Sequence, residues 1–87
     1  MLIYPAEYYT EFEVGGSKVL EENSPVNTDF VIRIDLQTES LGSFGNAIEA
    51  YIIVFKIAAN YNDYVKWYFK TEKARDTFYY NMSRQSK

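Results

Sequence analysis

The chain has 87 residues, of which 47% are hydrophobic and 18% aromatic, with nine Tyr, six Phe and a formal net charge of −3. So short a chain is expected to form one domain, residues 1–87, around a small core that buries roughly 60–65% of the surface exposed on unfolding; its apolar content excludes a disordered chain. It contains no Cys and no His, which excludes a disulfide framework, thiolate zinc sites and the usual nucleophile–base pairs of hydrolases.

The first residues, Met1-Leu2-Ile3-Tyr4-Pro5, are apolar but too short for a signal peptide and lack basic flanks. Residues 50–59 form the longest apolar stretch, and Lys56 interrupts it. A membrane helix needs roughly 20 apolar residues. The expectation is therefore a cytoplasmic, intracellular protein with no membrane partner.

Residues 8–14 alternate. Tyr8, Thr10, Phe12 and Val14 share one face, while Tyr9, Glu11 and Glu13 share the other, and a period of two marks a half-buried strand. Gly15-Gly16 can adopt the positive φ of a two-residue hairpin turn, so 17–21 reads as the returning strand. Residues 22–29 hold Asn, Ser, Pro and Thr, which is loop chemistry.

The cleanest alternation is 30–36. Phe30, Ile32, Ile34 and Leu36 fall on one face, with Val31, Arg33 and Asp35 on the other. The pattern predicts a strand with the Phe30–Leu36 row buried. A loop with Gly42 and Gly45 follows.

Residues 47–59 fit two periods. A helix would align Ile48, Tyr51, Ile52, Phe55 and Ala59, whereas a strand would be apolar on both faces except at Glu49 and Lys56. The β-branched cluster Ile52-Ile53-Val54 and the turn residues Asn60-Tyr61-Asn62-Asp63 favour the strand. Its partner is 64–70, with Val65, Trp67 and Phe69 on one face and Lys66, Tyr68 and Lys70 on the other.

Thr71 suits an N-cap and Glu72 the first turn of a helix. Ala74, Phe78 and Met82 form its apolar stripe, beside Thr77 and Asn81, and Arg84 and Lys87 sit where cations favour the C-terminal end. The expected fold is α+β: a twisted antiparallel sheet of five strands with a C-terminal helix packed on one face.

Charge is unevenly distributed. Residues 1–63 carry three cations and ten acids, a balance of −7, and residues 64–87 carry six cations and two acids, a balance of +4. Such a dipole can orient a protein against a charged partner. Two copies could also attract each other through it, so a homo-oligomer is compatible.

Little here suits catalysis. Glu11 and Glu13 lie two apart on one strand face but read as solvated surface, and the scattered acids lack the spacing of a calcium loop. Gly15-Gly16-Ser17-Lys18 lacks the spacing of a phosphate-binding loop. Gly42-Ser43-Phe44-Gly45 has the outline of a nucleic-acid-gripping Gly-x-x-Gly loop without its basic residues. Asn81-Met82-Ser83 is a formal glycosylation acceptor inside the predicted helix. No enzyme activity, metal or cofactor is expected.

Two features point to partners. Nine Tyr exceed what a small core can use, and Tyr is enriched in protein interfaces. Tyr9, Glu11 and Glu13 on the first strand, with Tyr61 and Asp63 in the last turn, would suit a basic protein surface. The second feature is the basic, aromatic end: Lys66, Tyr68, Lys70, Lys73 and Arg75 could hold a single-stranded nucleic acid by stacking and phosphate contacts. The chain's acidity ranks that reading second.

Phe, Tyr, Met, Ile, Asn and Lys contribute 36 residues against 15 for Gly, Ala, Arg and Pro, which suits an AT-rich genome. The reading is thus a non-catalytic protein-binding module, in the form of a small phage or mobile-element inhibitor of a host defence protein such as a nuclease.

Overall fold

The structure, a computed structural model, describes residues 1–43, 45–57 and 63–85. The chain order is β1 (Leu2–Ile3), β2 (Tyr9–Val14), β3 (Ser17–Glu22), β4 (Val26–Asn27), a 3-10 turn (Thr28–Phe30), β5 (Val31–Leu41), β6 (Ile48–Ile57), β7 (Tyr64–Phe69) and α1 (Glu72–Gln85). This is the expected α+β class with a C-terminal helix on a sheet. The strands divide among three antiparallel sheets rather than one: β1 with β4, β2 with β3, and β5-β6-β7.

Of residues 47–59, Ile48–Ile57 form a strand, β6, as the strand reading expects, and residues 58 and 59 lie outside the described residues. Strand β6 is central and both its faces are covered, which explains why its sequence carries no clean period. Ile53 and Phe55 face α1, together with Trp67 of β7 and Val26 of β4, and all four are buried. The rings of Phe55 and Trp67 meet edge to face at 4.6 Å, and Trp67 meets Phe78 of α1 at 5.6 Å. Ala50, Ile52 and Val54 lie on the opposite face and are also buried. On that face the β2–β3 hairpin packs beside Ile52, where Phe12 contacts Tyr68, the ladder partner of Ile52, edge to face at 6.4 Å, while Val54 lies among Arg33, Asp35, Lys56 and Lys66. The molecule is therefore layered as hairpin, sheet and helix.

Gly15 and Gly16 both have positive φ and close the hairpin as expected. Its tip reaches the β5–β6 turn. Gly42 there has a φ of 103°, and a Cβ at this position would overlap the side chain of Val14. The turn therefore needs glycine for both backbone and space.

The Phe30–Leu36 row is not buried, and this corrects the sequence expectation. Phe30 is 59% and Ile32 63% exposed, and Ile34 and Leu36 are 36% and 41% exposed. There are two physical reasons. Helix α1 packs over β6 and β7, so β5, at the sheet margin, projects beyond its cover. A bulge between Val31 and Arg33 also breaks the alternation, which leaves Val31 packed against the core.

Two further differences concern the ends. The segment read as loop at 22–29 contains β4, which pairs with β1, two elements too short to show a period. Thr71 does cap α1, accepting from the Ala74 amide at 3.1 Å. Phe78 and Met82 of the expected stripe pack half-buried against the core, joined by Tyr79, but Ala74 is exposed and Arg75 is buried instead. Arg75 lies over the Tyr51 ring and reaches the Gln37 carbonyl at 2.8 Å. A long basic side chain can cover apolar surface in this way.

Candidate interaction face

The β2–β3 register puts Tyr9 opposite Glu22, Glu11 opposite Leu20, and Glu13 opposite Lys18. These six residues share the solvent face of the hairpin and all are exposed. The inner face carries Thr10, Phe12, Val14 and Val19, which are buried or half-buried. Alternation thus sends the apolar set to the sheet and leaves outside one Tyr and one Leu framed by Glu11, Glu13 and Glu22. The sequence reading found Tyr9, Glu11 and Glu13 but not Leu20, because the returning strand is too polar for its register to be read alone.

The face is held rigidly at its base by polar side chains. Asn23 is buried. Its amide nitrogen donates to the Glu7 carbonyl and the Thr10 hydroxyl, both at 2.9 Å, and its oxygen accepts from the Tyr68 amide at 2.7 Å. The Thr10 hydroxyl in turn donates to the Tyr68 carbonyl at 2.6 Å. Both backbone groups of Tyr68 that point away from β6 are thereby satisfied, so this side-chain bridge closes the outer edge of β7 at Tyr68 and fixes the hairpin there. A cleft of about 390 Å³ opens beside the bridge, lined among others by Tyr9, Glu11, Phe69 and Lys70.

The remaining predicted residues are not gathered at this face. Tyr61 lies outside the described residues. Asp63 is exposed at the start of β7, the far end of that strand from the Asn23 bridge, on the order of 17 Å along it. The alternative nucleic-acid set is dispersed. Lys66 and Tyr68 share one carboxylate oxygen of Glu39, at 3.0 and 3.3 Å. Lys70 is exposed at the end of β7 and Lys73 on the outer face of α1. Arg75 is buried on the other side of the sheet, bonded to Gln37 and Asp76.

Burial pushes the Tyr68 hydroxyl up to about 12, with help from the negative charges of Glu39 and Glu21. An unfolded tyrosine releases its proton near pH 10. The folded state holds that proton more tightly, so the contribution of Tyr68 to stability is full below pH 10 and is lost as pH rises towards and through 12. Replacing Tyr68 by Phe should flatten the fall in melting temperature over that window. A fall as steep as in the wild type would contradict the assignment.

Among the described residues, no group of three or more acidic side chains is placed to hold a metal ion, and no helix is long and apolar enough to cross a membrane. No family model matches the chain, and neither the curated proteins nor the solved structures give a match.

Proposed function

We propose that this protein is a non-catalytic protein-binding module that docks a basic protein surface on the outer face of its β2–β3 hairpin. The observation that carries this is the exposed Tyr9 and Leu20 framed by Glu11, Glu13 and Glu22 on one braced two-stranded surface. Large semi-rigid side chains supply contact area and carboxylates supply steering and register. An acidic face on a small domain suits occupation of a basic nucleic-acid channel. The form of the reading we adopt is an intracellular phage or mobile-element inhibitor of a host defence protein such as a nuclease. The single-stranded nucleic-acid reading has less support, because Arg75 is buried and Glu39 neutralises Lys66 and occupies the Tyr68 hydroxyl.

The test compares variants against a partner captured from the host. Tyr9→Ala should weaken binding by at least about 2 kcal/mol, a hot-spot magnitude, with the fold intact. Charge reversal at Glu11 and Glu13 should mainly slow association and reduce its salt dependence. Unchanged affinity and association rate in these variants, with loss of binding on substituting Lys66 and Lys70, would reject the reading.

A further inference from the structure

Among the described residues no strand lies beside the outer edge of β5, and the ladder fixes the polarity of its backbone. The Ile57 amide donates to the Asp63 carbonyl, so Ile57, and by alternation Phe55 and Ile53, point their backbone groups towards β7. Residues Lys56, Val54, Ile52 and Ala50 then bond to β5, where their partners are Arg33, Asp35, Gln37 and Glu39. The backbone groups of Ile34, Leu36 and Thr38 consequently point outward, away from the sheet. The outer edge of β7 agrees with this phase, since Tyr68, the partner of Ile52, bonds outward to Thr10 and Asn23. No described strand pairs with the outer side of β5. It is an eleven-residue edge with Ile34 and Leu36 exposed along it and neither Lys nor Pro to guard it. Protein edges of this kind are normally blunted or paired.

We propose that β5 pairs with β5 of a second copy, antiparallel about a two-fold axis at Leu36. Outward groups must meet outward groups, so only registers that match even-numbered residues can form. An axis at Asp35 sets two Asp35 side chains against each other, and an axis at Gln37 sets Asp35 against Glu39; both oppose like charges. An axis at Ile34 carries Leu36 onto the bulge at Ile32 and loses the ladder there. The axis at Leu36 centres the ladder on Ile34–Thr38 and leaves the bulge at Ile32 outside these central pairs. Ile34 meets the second copy's Thr38 and Leu36 meets its own counterpart, so all three outward pairs exchange backbone hydrogen bonds. Arg33, which bonds Asp35 in its own copy, comes opposite the second copy's Glu39, which bonds Lys66 in its own, so opposite charges face each other at both ends, and Asp35 meets Gln37. The two-fold axis stands perpendicular to the sheet, so both helices lie on one side, and Ile34 and Leu36 of the two copies join in one apolar row between them. The result is a continuous six-stranded sheet, β7-β6-β5-β5-β6-β7. The hairpin face stays free, so this dimer stands independently of the proposed docking face.

Equilibrium sedimentation of the full chain tests it. The wild type should run at twice its 10.2 kDa. Leu36→Lys places two cations on the axis and should raise the dimer dissociation constant at least about 100-fold, as should Leu36→Glu. An equimolar mixture of the two should dimerise again, because Lys then faces Glu. Circular dichroism checks that both variants fold. Since the chain has no cysteine, Leu36→Cys gives a measurement that keeps the test open if the charged variants do not fold. It should form a disulfide dimer on mild oxidation, whereas Thr38→Cys, which faces Ile34 of the second copy, should not. A wild type that stays monomeric up to about millimolar concentration, a dimer indifferent to both charged variants, or cross-linking at Thr38 in preference to Leu36 would each overturn the proposal.

Discussion

Replacing Trp67 by Ala is expected to lower the stability of the fold by about 3–5 kcal/mol, the range for removing a large buried aromatic. Trp67 is fully buried at the centre of the helix-side core and touches Phe55 and Phe78 through edge-to-face contacts. It joins three layers of chain at once. Strand β7 carries it, α1 covers it, and its indole N–H donates to the Ser24 carbonyl at 2.6 Å in the segment that leads to β4. Domains of this size have only about 5–15 kcal/mol to lose, so the variant should give up a large share of its stability and melt well below the wild type. Trp67→Phe separates packing from hydrogen bonding. It keeps a ring against Phe55 and Phe78 but leaves the Ser24 carbonyl without its donor, a loss of about 1–3 kcal/mol. Denaturation midpoints for the two variants check the ordering. Equal midpoints would mean that the ring stack contributes little.

Asn23→Ala should be the most damaging polar substitution, at about 3 kcal/mol. The side chain satisfies the Tyr68 amide, the Glu7 carbonyl and the Thr10 hydroxyl together, and an alanine removes all three partners at once. The effect should also be local before it is global. Tyr68 sits on the sheet margin, yet its amide should exchange slowly with solvent because Asn23 covers it. In Asn23→Ala that amide should exchange faster than those of Ile53 and Phe55, which stay bonded within the sheet. Unchanged exchange at Tyr68 would show that the hairpin is held by Phe12 and Val14 alone.

Much of this architecture is legible in the amino-acid sequence. The hairpin alternation at 8–14, the glycine turn, the strand at 64–69 and the Thr71 cap all follow from local rules, and local rules hold where one element decides its own exposure. The failures share one cause. Alternation at 30–36 reports that a strand has two unlike faces; it does not report whether a helix extends far enough to cover the apolar one. Here α1 stops over β6, and the strand with the cleanest pattern became the exposed margin. Ala74 and Arg75 exchanged roles for a similar reason, because the carbonyl that accepts from Arg75 belongs to β5, distant in sequence. At the candidate site, Tyr9, Glu11 and Glu13 were visible as one strand face. Leu20 and Glu22 needed the register, and Asn23 looked like ordinary loop chemistry. A residue that bridges an edge amide gives no periodic signal.

The docking face is tested most directly by mapping it. With the chain isotopically labelled and saturated with its captured partner, backbone amide shifts locate the contact surface residue by residue. The account predicts the largest changes along Tyr9, Glu11 and Glu13 and their cross-strand neighbours Lys18, Leu20 and Glu22. The amides of Lys66, Lys73 and the outer turn of α1 should stay within the scatter of the unbound spectrum. Changes centred on Lys66, Lys70 and Lys73, with the hairpin silent, would contradict it.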